Sequence, residues 1–291
     1  MSPIYVPGKV VLAKQFTWNE TIWNPSMIQT ALWLDAADTA TISTSGSEVT
    51  QINDKSGNSR NFTGTSGSRP STGVATQNGK NVLSLDAGFL TSSSAASTWK
   101  FLHDSTGSSV FSVASFGTSS NPDAAFILLG SSGAATANVG FAMFYDDRLS
   151  LSRNNGLILF VNRGISATFA ASNVSLDVVT PNSARIITAL TNPANETAAD
   201  RSIVRIDAGP ELKNSTATDA LSTADPTFTL QIGSGGNGAL AFTGKLAEII
   251  IVSGIVSAAN RERFEGYLAH KWGLTANLPS DHPYKTVGPT P

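Results

Sequence analysis

The chain has 291 residues, of which 14% are charged, with a net charge of −2 and no cysteine. The near-neutral charge, without a run of lysines or arginines, argues against the phosphate-tracking face of a nucleic-acid-binding protein. The lack of cysteine excludes a disulfide framework, a cysteine-based zinc site and a cysteine nucleophile, and it fits assembly in a reducing cytoplasm. No window approaches the roughly eighteen apolar residues of a membrane-spanning helix, and no secretory signal precedes the domain. We therefore expect no membrane insertion.

Residues 1–27 are predicted to form an N-terminal arm. Its apolar content is too high for a solvated tail, and the side chains concerned are Val10, Val11, Leu12, Trp18 and Trp23. Two interpretations remain open, because the arm could pack on its own domain or dock on a partner protein. For docking, the expected modes are strand addition or insertion of the two tryptophans.

From residue 28 the sequence predicts about a dozen short strands separated by Gly, Asn, Asp and Ser. The strand candidates are residues 31–36, 48–53, 60–63, 81–86, 109–116, 125–129, 140–145, 148–152, 157–162, 184–191, 202–208, 228–232 and 246–252. Together with a single persuasive helix, they predict an all-β fold, a two-sheet antiparallel jelly-roll sandwich.

No linker divides residues 28–275, which we take as one domain. The strand at 184–191 carries apolar residues on both faces, so we expect loops, the arm or a neighbour to cover it. The proline-rich residues 276–291 are predicted to form an extended C-terminal tail.

The stretch from Leu246 to Leu274 combines a strand with a short helix. Apolar side chains at helical spacing form one stripe, which consists of Phe264, Tyr267, Leu268, Lys271 and Trp272. Ser257 can cap the start of this helix, and Gly273 can adopt the left-handed conformation past its end. Because so short a helix is marginal alone, its stripe must pack on the sandwich.

Four segments occur in a fixed order: ALWLDAADTATI at 31–42, QINDKSGNSRNF at 51–62, NGKNVLSLDAGFL at 78–90, and the run from LAEIIIVSG to DHPY at 246–284. They resemble the concanavalin A-like lectin/glucanase superfamily, and more narrowly the laminin-G-like jelly rolls of bacteriophage virion proteins. The resemblance covers roughly residues 30–285. It implies two packed antiparallel sheets, neighbouring first and last strands, and a C-terminal helix capping an edge or end of the sandwich. Because one such fold hosts lectins, glycosidases and virion building blocks, site residues must decide the function.

Catalysis by paired carboxylates is not indicated. The glucanases of the superfamily place their acids on one strand as Glu-x-Asp-x-(x)-Glu, and this sequence has no such triplet. Glu248 is an isolated carboxylate in an apolar strand, and we expect a structural ion pair there. The histidines His103, His270 and His282 suggest no triad, and we expect them at the surface. Residues 233–238 satisfy G-x-G-x-x-G, but a strand-like run follows where a dinucleotide site needs a helix.

Calcium is the cofactor that the resemblance implies, held at the sandwich rim by carboxylate, amide and carbonyl oxygens. The candidate ligands are Asp35, Asp54 and Asn58, with Asp38 nearby and Asp146–Asp147 as a separate cluster. Turn formation is the favoured alternative, because Asp54 and Asn58 flank a tight turn and no fixed ligand spacing is present.

Together the resemblance and the arm predict a non-enzymatic bacteriophage virion structural protein, either a capsid decoration or a tail- or fibre-associated protein. The expected partners are other virion proteins of the capsid or tail and further copies of the chain, with a homotrimer as the guess. The expected location is the virion, after assembly in the host cytoplasm. The alternative is a carbohydrate-binding adhesion or receptor-binding module that recognises host surface glycans.

Overall fold

The computed structural model describes residues 23–117, 125–132, 138–146, 156–163, 171–175, 180–213, 222–236, 238 and 240–291. Its strands are β1 (Leu32–Asp35), β2 (Ile42–Ser45), β3 (Glu48–Ile52), β4 (Phe62–Thr63), β5 (Thr76–Gln77), β6 (Lys80–Asn81), β7 (Leu83–Asp86), β8 (Leu90–Ser92), β9 (Ser108–Phe116), β10 (Ala125–Gly130), β11 (Val139–Asp146), β12 (Gly156–Arg163), β13 (Ala171–Ser175), β14 (Arg185–Thr191), β15 (Ser202–Ile206), β16 (Leu212–Lys213), β17 (Gln231–Ile232) and β18 (Thr243–Ser253). One α-helix, α1, spans Ala258–Trp272, and 3-10 turns occur at Pro25–Met27, Thr39–Thr41, Ala96–Leu102, Ala198–Asp200 and Thr275–Asn277.

Two antiparallel sheets form the sandwich. The first sheet has the order β1-β18-β9-β14-β15-β16, with β7 also paired to β18, and the second has the order β13-β12-β11-β10-β17-β8-β4-β3-β2. Strands β5 and β6 form a separate hairpin. The all-β class, the antiparallel sheets and the short C-terminal helix are thereby confirmed, as is the pairing of the first strand with the last. The strand expected at 148–152 lies outside the described residues.

The first sheet is buried on both faces because its strands alternate between two apolar clusters. Along β18, Ile249 and Ile251 face the core between the sheets, whereas Ile250 and Val252 face α1. A β-bulge, where the register of β18 against β9 shifts between Leu246 and Glu248, allows neighbouring residues of β18 to face the helix together. This second apolar face is the surface that the marginal helix requires.

Helix α1 begins and ends as its sequence predicts. The Ser257 hydroxyl accepts a hydrogen bond from the Asn260 amide at 3.3 Å, and Gly273 has a φ of 71°. The helix lies on the outer face of the first sheet, where Phe264 stacks on Phe111 of β9 with ring centroids 4.4 Å apart. The expectation that it caps an edge or end of the sandwich is therefore wrong, because the apolar outer face provides a larger surface than a sheet edge.

The C-terminal tail folds back on α1 instead of running extended. The amide of His282 donates to the carbonyl of Pro279 in one turn, and Leu278 is buried against the helix. The tail also closes over residue 23, since the Trp23 amide donates to the carbonyl of Pro289 at 3.1 Å. No helix among the described residues is long and apolar enough to cross a membrane.

Candidate functional site

A cleft of about 350 Å³ opens beside α1 on the outer side of the first sheet. Three separate parts of the chain line it: β15 with the turn that follows, helix α1, and the folded-back tail. Its walls include Arg205, Gly209, Pro210, Glu262, Asp281 and His282. The cleft therefore depends on the return of the tail to the domain.

Arg205 is the one arginine in the cleft wall. It lies in β15 directly opposite Thr188 of β14, and its side chain is 13% exposed. The Nη2 group donates to the carbonyl of Ala208 at 2.5 Å, while Nε lies 3.5 Å from the Glu265 carboxylate without making a hydrogen bond. Because a guanidinium has five N–H donors, Arg205 retains unused donor capacity.

Glu265 lies beneath the cleft and His282 lies in its wall, and each has a polar atom that makes no hydrogen bond. Glu265 is fully buried in α1, and its Oε1 accepts from the Thr188 hydroxyl at 2.9 Å. Its Oε2 lies 3.7 Å from His282 Nε2, and neither atom has a hydrogen-bond partner. His282 Nδ1 accepts from the Tyr284 amide at 3.2 Å, which assigns the ring proton of a neutral His282 to Nε2. These two atoms and Arg205 Nε are enclosed by the protein, so together they form a buried polar group next to the cleft.

The turn after β15 is held in a strained conformation. Asp207 and Ala208 have φ of 52° and 58°, a region that non-glycine residues seldom adopt. The Asp207 carboxylate maintains the turn, accepting from the Ile186 amide at 2.9 Å and from Arg185 Nη1 at 2.6 Å. Strain of this kind persists only where surrounding bonds enforce it, and it concentrates at binding sites.

The cleft combines one arginine with carboxylates. Glu262 and Asp281 line it together with Arg205, whose guanidinium also lies 3.5 Å from the buried Glu265 and 3.9 Å from Glu211. Within the described part of the chain, no group of three His, Asp or Glu side chains could hold a metal ion. An arrangement of this kind suits a neutral ligand rich in hydroxyl groups better than a phosphate or a metal.

A second polar cluster lies under the other end of α1 and is centred on Glu248. Glu248 Oε1 accepts from the indole of Trp33 at 2.7 Å and from the Tyr267 hydroxyl at 3.0 Å. Its Oε2 accepts from the Trp272 indole at 2.7 Å and pairs with Lys271 Nζ at 2.8 Å. The structure thus places at Glu248 the ion pair that the sequence suggested.

Asp35 extends this cluster to the first strand. Its Oδ1 lies 2.7 Å from Lys271 Nζ, and its Oδ2 lies 2.9 Å from Lys55 Nζ. Lys55 also pairs with Asp38 at 2.8 Å. Two lysines and three carboxylates therefore connect β1, β18, α1 and the loop after β3.

The environment shifts the pKa values of the two acids in this cluster, Glu248 and Asp35, in opposite directions. Burial raises the pKa of Glu248; the Lys271 charge opposes that shift and the Asp35 charge adds to it. Burial would also raise the pKa of Asp35, but Lys271 and Lys55 outweigh it and hold the value below its ordinary range. Burial, together with the Glu248 charge, raises the pKa of Tyr267, so its hydroxyl keeps the proton that it donates.

The proposed calcium ligands serve other purposes in the structure. Asp54 accepts from the amides of Trp33 and Arg60 at 3.0 Å each and from the amide and hydroxyl of Ser56. The Asn58 amide nitrogen donates to the carbonyl of Thr30 at 2.9 Å, and Asp35 binds the two lysines. Asp54 and Asn58 thus make the contacts of a turn, whereas Asp35 belongs to the lysine cluster. Asp146 ends β11, and Asp147 lies outside the described residues.

Trp23 does not have the docking role predicted for it. Its ring is 2% exposed and packs edge-on against Phe264 at 5.0 Å and Tyr267 at 6.1 Å. The aromatic stripe of α1 attracts this tryptophan within its own chain, which is the first of the two interpretations of the arm. Val10, Val11, Leu12 and Trp18, which were predicted to dock, lie outside the described residues.

Sequence reasoning missed the cleft residues. His282 and His103 were expected at the surface, yet their side chains are almost wholly buried, because the tail returns to the helix and the loop at 224 covers His103. One local signal was present: Glu265 is a charged residue between apolar positions of the helix stripe. Its partners Arg205 and His282 could not be inferred, since they meet it only through the tertiary fold.

No protein family matches the sequence, and no curated protein matches it either. Solved structures match it as folds. The binding domain of Paraclostridial Mosquitocidal Protein 1 has 12% identity and a TM-score of 0.56, with 82% of this chain and 52% of that one covered. The binding domain of botulinum neurotoxin DC in complex with SialylT has 8% identity and a TM-score of 0.51, with 80% and 50% covered. A GH54 α-L-arabinofuranosidase soaked with a cyclic sulfate inhibitor has 14% identity and a TM-score of 0.53, with 83% and 59% covered.

These likenesses show that the chain shares the β-sandwich fold of these structures. The match to this chain covers between 50% and 59% of the length of each of these structures. At such identities the fold alone is shared, and function must come from the site.

Proposed function

We propose that this chain is a carbohydrate-binding module of the lectin-like sandwich class, which binds without catalysis, and that a sugar occupies the Arg205 cleft. The observation that carries the proposal is a cleft whose walls offer hydrogen-bond donors and acceptors side by side: the guanidinium of Arg205 and the carboxylates of Glu262 and Asp281. A sugar hydroxyl can both donate and accept, so neighbouring hydroxyls of one ring suit both kinds of wall group.

The shape of the site supports the same ligand class. A volume of about 350 Å³ lies at the lower end of the range for small-ligand sites. The strained Asp207–Ala208 turn and the tail hold the walls in place before binding, which lowers the ordering cost of association. Proteins of this fold include the toxin binding domains described above, one of them solved with SialylT, and this supports a binding role.

The virion role inferred from the sequence stays a prediction. It concerns where the module is carried, and a carbohydrate-binding module could be part of a tail fibre or of a cell surface. None of the solved structures described above is named as a virion protein.

A glycan array tests the proposal, with the full chain applied once in calcium and once in a chelator. We expect binding to a restricted group of glycans in both conditions, because Asp54 and Asn58 are engaged in turn contacts and Asp35 in ion pairs with two lysines. Arg205→Ala should lose the signal. Lys80→Ala, which removes the same charge from an exposed residue of β6, should keep it. A chain that binds no glycan, or an Arg205→Ala variant that binds like the parent, would overturn the proposal.

A further inference from the structure

We propose that Lys271 and Asp35 form an isopeptide bond, in which the Lys271 amine condenses with the Asp35 carboxyl group and Glu248 transfers the protons. This inference concerns the cluster beneath α1 and is independent of sugar binding.

The Lys271 amine lies close enough to both Asp35 and Glu248 for the reaction. Lys271 Nζ lies 2.7 Å from Asp35 Oδ1 and 2.8 Å from Glu248 Oε2. Because a carbon–oxygen bond is about 1.2 Å long, Nζ lies within about 4 Å of the carbon it would attack. Asp35 and Glu248 are directly opposite each other in the β1–β18 pairing, so two strands hold both acids beneath the amine. Such proximity supplies much of what a condensation needs.

The surroundings exclude water. The Glu248 side chain is 0% exposed, Asp35 6% and Lys271 15%. The indoles of Trp33 and Trp272 each donate to one oxygen of Glu248 and enclose the cluster. A dry site favours condensation, because the water that is released leaves and does not reverse the bond.

The step balances without a co-reactant. Lys271 starts as an ammonium group and Asp35 as a carboxylate. A carbon–nitrogen bond forms, the bond from the Asp35 side-chain carbon to Oδ1 breaks, and Oδ1 leaves as water with two of the ammonium protons. The third proton stays on the amide nitrogen. Glu248 carries the departing protons one at a time and ends as it began.

Two further features assist the transfer. Lys55 Nζ holds Asp35 Oδ2 at 2.9 Å, where it stabilises the negative charge that develops on that oxygen during attack. Burial raises the pKa of Glu248, so this acid can hold a proton in transit. The Lys271 charge is the largest influence lowering the pKa of Asp35, and it disappears once the amine is neutral, which eases protonation of the leaving oxygen.

The chain contains a matched control. Lys213 Nζ lies 2.8 Å from Asp200 and 3.0 Å from Glu211, so the same residue types meet at similar distances. Their side chains are 37%, 38% and 29% exposed. We expect this solvated triad to stay unlinked.

Mass spectrometry of the purified full chain tests the inference. The denatured wild type should weigh one water less than its sequence. After trypsin digestion, cleavage at Lys271 should be blocked, and fragment 15–55 should be joined to fragment 264–285. Asp35→Ala and Glu248→Gln should keep the full mass. Lys213→Ala removes a lysine of the solvated triad outside this cluster, and it should link like the wild type.

Several results would contradict the inference. A wild-type chain of full mass overturns the inference. A lost water confined to a single peptide indicates a succinimide and overturns it, as does a link between the fragments of the Lys213 triad. If Glu248→Gln links as fully as the wild type, Glu248 is not the proton carrier and the inference is overturned.

Discussion

Trp272 donates its indole N–H to Glu248 across 2.7 Å, joining the last turn of α1 to the final strand, with both side chains buried. Trp272→Ala should cost roughly 3 to 5 kcal/mol of unfolding free energy, the usual range for removing a buried tryptophan. Trp272→Phe keeps most of the volume but removes the donor, so we expect a smaller loss of about 1 to 3 kcal/mol. Denaturant melts measure both. A loss under about 1 kcal/mol for Trp272→Ala would mean that the helix does not depend on this contact.

Trp23 should stabilise the isolated chain. Its ring packs on Phe264 and Tyr267 within the same molecule. We expect Trp23→Ala to lower the unfolding free energy by roughly 3 to 5 kcal/mol without any partner present. Val287→Ala serves as the control, because Val287 is 67% exposed and its truncation should change stability by less than about 0.5 kcal/mol. Equal midpoints for the two variants would restore a docking role for Trp23.

Gly273 is needed at the end of α1 for both its conformation and its small size. Its φ is 71°, and an added Cβ would lie 2.8 Å from the side-chain carbon of Asn78. Gly46 has a similar φ of 62° with nothing within 4 Å of an added Cβ. Gly46→Ala should therefore cost about 1 kcal/mol for conformation alone, and Gly273→Ala should cost more. Thermal or urea melts that rank the two variants the other way would show that the Asn78 contact relaxes freely.

The local features of the final strand and helix were predictable from the sequence. The stripe from Phe264 to Trp272, the Ser257 cap and the Gly273 terminus depend on neighbours within four residues, and the structure has all three. The pairing of β1 with β18 followed from the resemblance. The position of the helix on the sheet face could not be foreseen, because it depends on which alternate residues of distant strands point outward.

The cleft could not be predicted from the sequence for the same reason. Arg205 and Glu265 are separated by 60 positions in the sequence, and His282 belongs to a segment that reads as a polar, proline-rich tail. Turn propensity at Asp54 was visible in the sequence, but its hydrogen bonds to Trp33 and Arg60 were not. Long-range pairing decides which polar residues meet, and local composition does not record it.

His103 should make the stability of the protein depend on pH. Burial lowers its pKa, its side chain is fully buried, and Nε2 donates to the carbonyl of Ala224 at 2.9 Å. A histidine with a lowered folded pKa stabilises the fold above its ordinary pKa of about 6.5, and this contribution falls as the pH drops towards the folded value. Below a pH of about 6.5, the unfolding free energy of the wild type should fall by up to about 1.4 kcal/mol per pH unit relative to that of His103→Gln. Parallel urea midpoints of the two proteins between neutral and acidic pH would contradict this.

Sugar binding at the Arg205 cleft is tested most directly by titrating the strongest array glycan into wild type, Arg205→Ala and Lys80→Ala and comparing the dissociation constants. Loss of a charged donor costs about 1.5 to 3 kcal/mol, so Arg205→Ala should bind on the order of tenfold to a hundredfold more weakly. Lys80→Ala should match the wild type. Equal affinities for all three proteins would place the sugar elsewhere and contradict the assignment of the cleft.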